Sequence, residues 1–184
     1  MLGDLQAILK AIEGQSEAPV HKWNPDFCGD INMRIARDGT WYYEGTPIGR
    51  PEMVKLFSRV LRLDDDERYY LVTPGEKLGI QVDDVPFLVV EVTRHGEGRG
   101  QKLTFRTLTG DLMLAGPDNP IRVEINKETG EPAPYIRVRH NLDALINRPV
   151  FYELVALAEP RSEGDSVIGV WSENQFYELG DAGA

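Results

Sequence analysis

Ile48-Gly49-Arg50-Pro51 aligns with Ile146-Asn147-Arg148-Pro149, and this offset of 98 residues persists downstream. Met53 then matches Phe151, Leu56 matches Leu154, Phe57 matches Val155 and Val60 matches Ala158, so both stretches carry an apolar stripe at helical spacing. In each, a proline occupies the first turn, where its missing N–H costs nothing. The residue expected to cap each helix, Gly49 or Asn147, is of a type favoured at that position. Upstream, Met33-Arg34-Ile35 resembles Ile136-Arg137-Val138 with a shorter turn, and downstream 69–72 meets 167–170 at the same offset. Residues 31–73 and 134–172 therefore read as two copies of one strand–turn–helix–strand unit. Neither stripe is wide enough for its helix to stand alone. The expected fold is thus a β-rich α+β protein of two tandem similar lobes, each a curved antiparallel sheet packed around one helix.

The remaining pattern supplies boundaries. Leu5, Ile8, Leu9 and Ile12 follow helical spacing and Gly14 stands where a helix would stop, so an N-terminal helix is expected over residues 1–18. Its stripe packs on the body or serves a homodimer. The lobes follow at 19–85 and 86–184. Residues 19–30 hold two prolines, a glycine and the aromatics Trp23 and Phe27, and read as an anchored loop. Ile31, Met33 and Ile35 alternate with Asn32, Arg34 and Ala36, a half-buried strand, and Asp38-Gly39 turns it back into 41–43. The second helix is expected to run past Val60 and Leu61, with the acidic run 64–67 as the turn that ends it. Strands are expected at 69–73, 79–82, 87–94, 102–108, 112–115, 121–125 and 135–140.

Charge and cysteine content restrict the partners. Thirty Asp and Glu against 20 Lys and Arg give a net charge of −10, which argues against nucleic acid, since phosphate contacts need clustered cations. After Pro149 one basic residue, Arg161, stands against seven acidic ones, a solvated surface or a dock for a basic partner. One cysteine excludes an intrachain disulfide. No apolar run approaches the roughly 18 residues of a membrane span. The first residues carry Asp4 and lack a positive start, unlike a signal peptide. A cytoplasmic location is expected.

The strings HKWNPDFCGDI, MRIARDGTWYYEGTPIGRP, LTFRTLTGD and ETGEPAPYIRVRHNL, with NRPVFYELV after it, are long and specific. On them the chain resembles a bacterial family catalogued as domain of unknown function 1285, from about Val20 to about Leu179. The resemblance implies a fold with repeated motifs and a role in signal transduction. It implies no catalytic residue.

Arginine is the residue type that stands out for binding. Arg34 and Arg137 hold equivalent strand positions, Arg139 follows on the same face, and guanidinium forks suit carboxylate or phosphate. Internal pairing with some of the 30 acidic groups is the competing explanation. Arg50 and Arg148, at the helix starts, face the unfavourable end of a helix dipole. Trp41 and Tyr43 could line a groove, although alternate strand positions place about half of such aromatics in the core. Cys28, His21 and Asp30 share one loop and would suit a thiolate activated by imidazole; a small thiol packed inside is the plainer alternative. The three histidines lack metal-ligand spacing, so neither metal nor cofactor is expected. Gly96-Glu97-Gly98-Arg99-Gly100 precedes a strand rather than a helix and reads as a hairpin tip, not a dinucleotide loop. The expectation is a non-enzymatic binding or regulatory protein. Its small anionic ligand or protein partner would sit between the lobes or on the arginine-bearing strands. The rival is a hydrolase acting on a small anionic substrate through Cys28, His21 and Asp30.

Overall fold

The computed structural model describes residues 18–183; the helix expected over 1–18 lies, but for Ala18, outside them. The chain divides at Pro86/Phe87 into two compact units, both sheet-rich.

In the first unit, a short turn at Val20–Lys22 leads into β1 (Phe27–Ile35). β2 (Trp41–Tyr43), β3 (Thr46–Pro47), α1 (Pro51–Ser58), β4 (Leu61–Leu63), β5 (Tyr69–Val72) and β6 (Lys77–Val82) follow. They form one sheet in the order β3-β2-β1-β6-β5-β4. The Asp38-Gly39 turn closes the β1–β2 hairpin, with Gly39 at φ +85°. Met33, Ile35 and Trp41 lie in the core, and Trp41 stacks on Phe57 of α1 with centroids 6.4 Å apart.

In the second unit, β7 (Phe87–His95), β8 (Lys102–Thr107), β9 (Leu112–Leu114), β10 (Ile121–Ile125), β11 (Pro132–Arg139) and β12 (Leu142–Ile146) form a sheet ordered β10-β11-β12-β7-β8-β9. It curls until edge strand β9 comes back beside β11. α2 (Arg148–Ala156) packs on β7 and on β14 (Val167–Ser172). β14 lies between β13 (Glu159–Pro160) and β15 (Gln175–Asp181) in a separate three-stranded sheet.

Several expectations are corrected. The six-stranded sheets are not purely antiparallel: β1 pairs parallel with β6, and β12 with β7. Parallel partners are joined by long crossovers, and no local turn signal marks them. The second unit holds two sheets rather than one. α1 ends at Ser58, and Leu61 is already strand, so the run 64–67 turns β4 into β5 instead of closing a helix. The α1 N-cap is Arg50, not Gly49, and makes no side-chain cap, whereas the Asn147 side chain accepts from Val150 N at α2.

The order of hairpin, helix and antiparallel meander recurs: β4, β5 and β6 begin 98 residues before β13, β14 and β15. The packing does not recur in register. Phe57 is fully buried while its counterpart Val155 is 41% exposed; Leu154 is buried while Leu56 is only half-buried. The two helices turn different faces inward.

Candidate functional site

The arginine-bearing strands place their side chains on the outer sheet faces, because alternation sends Met33, Ile35, Ile136 and Val138 inward. What those arginines meet separates them into two kinds.

Arg137 is locked. Its Nε donates to Asp143 Oδ1 and its Nη1 to the His140 carbonyl oxygen at 2.8 Å. Asp143, 12% exposed, also accepts from Arg122 Nη1 at 2.7 Å, so one carboxylate ties β12 to β11 and β10. Arg122 in turn lies over the Tyr135 ring, 4.5 Å from its centroid. Arg139 is locked as well. It donates to Asp111 Oδ1 at 2.8 Å and sits over the Phe87 ring at 5.0 Å. Burial pushes the Asp111 carboxyl up, but the hydroxyls of Thr109 and Thr107 and the Arg139 charge outweigh it and hold Asp111 below its ordinary value.

Arg34 is held loosely. Its nearest carboxylate, Asp83, lies at 3.6 Å, its side chain is 40% exposed, and its guanidinium lies over the Tyr42 ring at 5.0 Å. Tyr42 is its cross-strand partner on β2, and Gln81 on β6 stands on its other side. Trp41 offers no surface to a ligand, since it is 2% exposed and packed on Phe57. Tyr43, opposite Met33, sits half-buried on the core-facing side of the hairpin. Arg50 and Arg148 are exposed at their helix starts.

The loop residues are differently arranged from the expectation. Phe27 and Cys28 begin β1 rather than lying in a loop, and Cys28 is an exposed free thiol whose Sγ donates to the Asp26 carbonyl oxygen. The exposed thiol also overturns the packed-inside alternative. His21 is exposed in the Val20–Lys22 turn. The Asp30 carboxylate is taken by Arg68, whose guanidinium lies over both Phe27 and Tyr70. Gly79, between Asp30 and Tyr70 in the sheet, leaves the room for this pair.

Sequence reasoning missed the network beside it. Arg62 holds Asp64 and reaches the carbonyl oxygens of Val20 and Trp23, at 3.0 and 2.7 Å. Lys77 joins Asp64 from β6 and lies 4.1 Å from the Tyr70 ring centroid. Burial raises the Asp64 carboxyl, and hydrogen bonds from Arg62 and Lys77 more than reverse it, so it too is held low. The Tyr70 hydroxyl donates to Asp66 at 2.6 Å. The only sequence signal was the acidic run 64–67 itself.

Among the described residues no group of three or more His, Cys, Asp or Glu is placed to hold a metal ion, and no helix is long and apolar enough to cross a membrane. Fold and sites together define a protein of two tandem sheet-rich domains whose sheets are braced by arginine–carboxylate pairs. The chain belongs to the DUF1285 family: the model described as domain of unknown function (DUF1285), N-terminal domain, matches residues 18–85, and that described as protein of unknown function (DUF1285), C-terminal domain, matches 86–179. It is similar to a DUF1285 family protein from Silicibacter pomeroyi DSS-3 of known crystal structure, at 53% identity and a TM-score of 0.90, over 97% of this chain and 96% of that one. A DUF1285 family protein from Shewanella baltica OS155 is 28% identical with a TM-score of 0.53, over 67% of this chain and 90% of that one. No curated protein matches.

Proposed function

We propose that the protein is a binding protein, not an enzyme, and that it takes the carboxylate or phosphate group of a ligand on β1 through Arg34. The observation that carries this reading is the contrast among the candidate arginines. Arg137 and Arg139 spend their N–H groups on short contacts inside the second domain, whereas Arg34 is half-exposed, 3.6 Å from its carboxylate and stacked over Tyr42. A guanidinium stacked on an aromatic ring keeps its planar fork oriented, and a loosely held counter-ion is readily displaced by an incoming oxyanion. The thiol-based hydrolase draws no such support, because Asp30 is engaged by Arg68 and Cys28 by a main-chain carbonyl. A cytoplasmic regulatory role, as in signal transduction, belongs to the same reading; an exposed free thiol at Cys28 suits a reducing compartment.

A thermal-shift screen of carboxylate- and phosphate-bearing metabolites against the protein and its Arg34→Ala variant tests it. A ligand that stabilises the first and not the second is expected. A stabiliser that acts equally on both overturns the assignment.

A further inference from the structure

We propose that the second domain carries a separate oxyanion site, in which Arg99, held over Trp171, receives the carboxylate or phosphate group of a ligand. Arg99 sits in the hairpin tip between β7 and β8, where Gly96 and Gly98 adopt φ of +80° and +66°. An exposed glycine-rich tip is ordinarily the loosest part of a hairpin. This one is stapled to the β14–β15 turn. Asn174 N donates to the Arg99 carbonyl oxygen at 2.8 Å, Glu173 N donates to that of Gln101 at 2.8 Å, and Gln101 Nε2 donates to that of Trp171 at 2.9 Å. Gln101 is itself buried, at 6% exposure.

The staple sets the Arg99 guanidinium 4.7 Å from the centroid of the Trp171 ring. Phe176 meets the same indole edge-on at 5.1 Å, which fixes its orientation. The neighbouring carboxylates lie nearer to other cations: Glu97 is 3.9 Å from Arg94 and Glu173 is 4.0 Å from Lys102. Among the described residues of this domain no ion pair joins Arg99 or the helix-start Arg148, whereas Arg94, Arg106, Arg122, Arg137, Arg139 and Arg161 each have one. An exposed cation that is stacked rather than paired keeps its N–H fork available to solvent. Stacking also removes much of the conformational entropy that a free arginine would lose on binding. Arg161, over Phe176 at 5.8 Å and tied to Asp165, places a second cation along the same aromatic pair.

This inference does not rest on Arg34, which lies in the other domain. The test is a titration of the full chain with inorganic phosphate and, separately, acetate, followed by tryptophan fluorescence, with chloride at matched ionic strength as the blank. The expected result is a saturable change at millimolar anion that vanishes in Trp171→Phe and persists in Arg34→Ala. It should weaken at least about fivefold in Arg99→Ala and about threefold in Arg99→Lys, which keeps the charge and loses the fork. The tighter of the two anions identifies the ligand group. An equal response to chloride, or an unchanged titration in Arg99→Ala, overturns the site.

Discussion

Arg139 Nη1 donates to Asp111 Oδ1 at 2.8 Å, joining β11 to the turn between β8 and β9 where the curled sheet of the second domain returns on itself. Both side chains are about one-fifth exposed, at 23% and 22%, so the pair works in a partly desolvated place. Arg139→Ala leaves the Asp111 charge there with only hydroxyl partners, and should cost about 2–4 kcal/mol. Arg106→Ala removes a pair with Glu91 whose side chains are about half exposed, and should cost less than about 1 kcal/mol. Urea unfolding midpoints distinguish the two; equal losses would mean that Arg139 is no closure.

Acid should find the same carboxylates. Asp111 and Asp64 are both held below their ordinary values in the fold. A depressed carboxyl contributes stability that is fully present above its unfolded value, about 3.9, and is lost as pH falls through its lower folded value. Stability should therefore hold above about pH 5 and fall progressively below pH 4. In Asp111→Asn the fall should be shallower, because one of the depressed groups no longer titrates. An identical pH profile for the variant would contradict this.

Much of the secondary structure is legible in the residues, and little of the pairing is. The alternation around Arg34 correctly sends Met33 and Ile35 inward, and Pro51 and Pro149 mark both helix starts. No glycine turn signal precedes β12, because His140 turns the chain at φ +50°, or β15, where Glu173 and Asn174 do the same at +49° and +63°. The start of β1 was hidden by exposure on both faces. The parallel pairs and the partners of Arg139 and Arg99 depend on long-range register, which no local spacing encodes, whereas Arg137 meets Asp143 and His140 only six and three residues along the chain. The alignment at 98 residues captured the order of elements but not which helix face is buried.

Two strand glycines should differ sharply when given a methyl group. A Cβ on Gly169 would lie 2.1 Å from the Tyr177 carbonyl oxygen, a main-chain atom that cannot swing aside. Gly169→Ala should cost more than about 2 kcal/mol. A Cβ on Gly79 would meet Asp30 Oδ1 at 2.0 Å, the end of a side chain that can rotate away. Gly79→Ala should cost less than about 1 kcal/mol, and nothing in an Asp30→Ala background. Urea midpoints of the three variants check the order.

The helix caps make an opposite pair. Asn147→Ala removes the acceptor for Val150 N and should cost about 1 kcal/mol. Arg50 caps α1 with no side-chain bond, so Arg50→Ser should stabilise by about 0.5–1 kcal/mol. Thermal midpoints moving in the same direction would contradict the account.

The most direct test of Arg34 as an oxyanion receptor is a proton–nitrogen NMR titration of the labelled protein with inorganic phosphate and with succinate. Saturable shifts centred on Arg34 and Tyr42 are expected, abolished by Arg34→Ala with an unchanged unfolding midpoint. In Arg137→Ala they should persist while the midpoint falls. Shifts that survive in Arg34→Ala, or that require Arg137 instead, would contradict it.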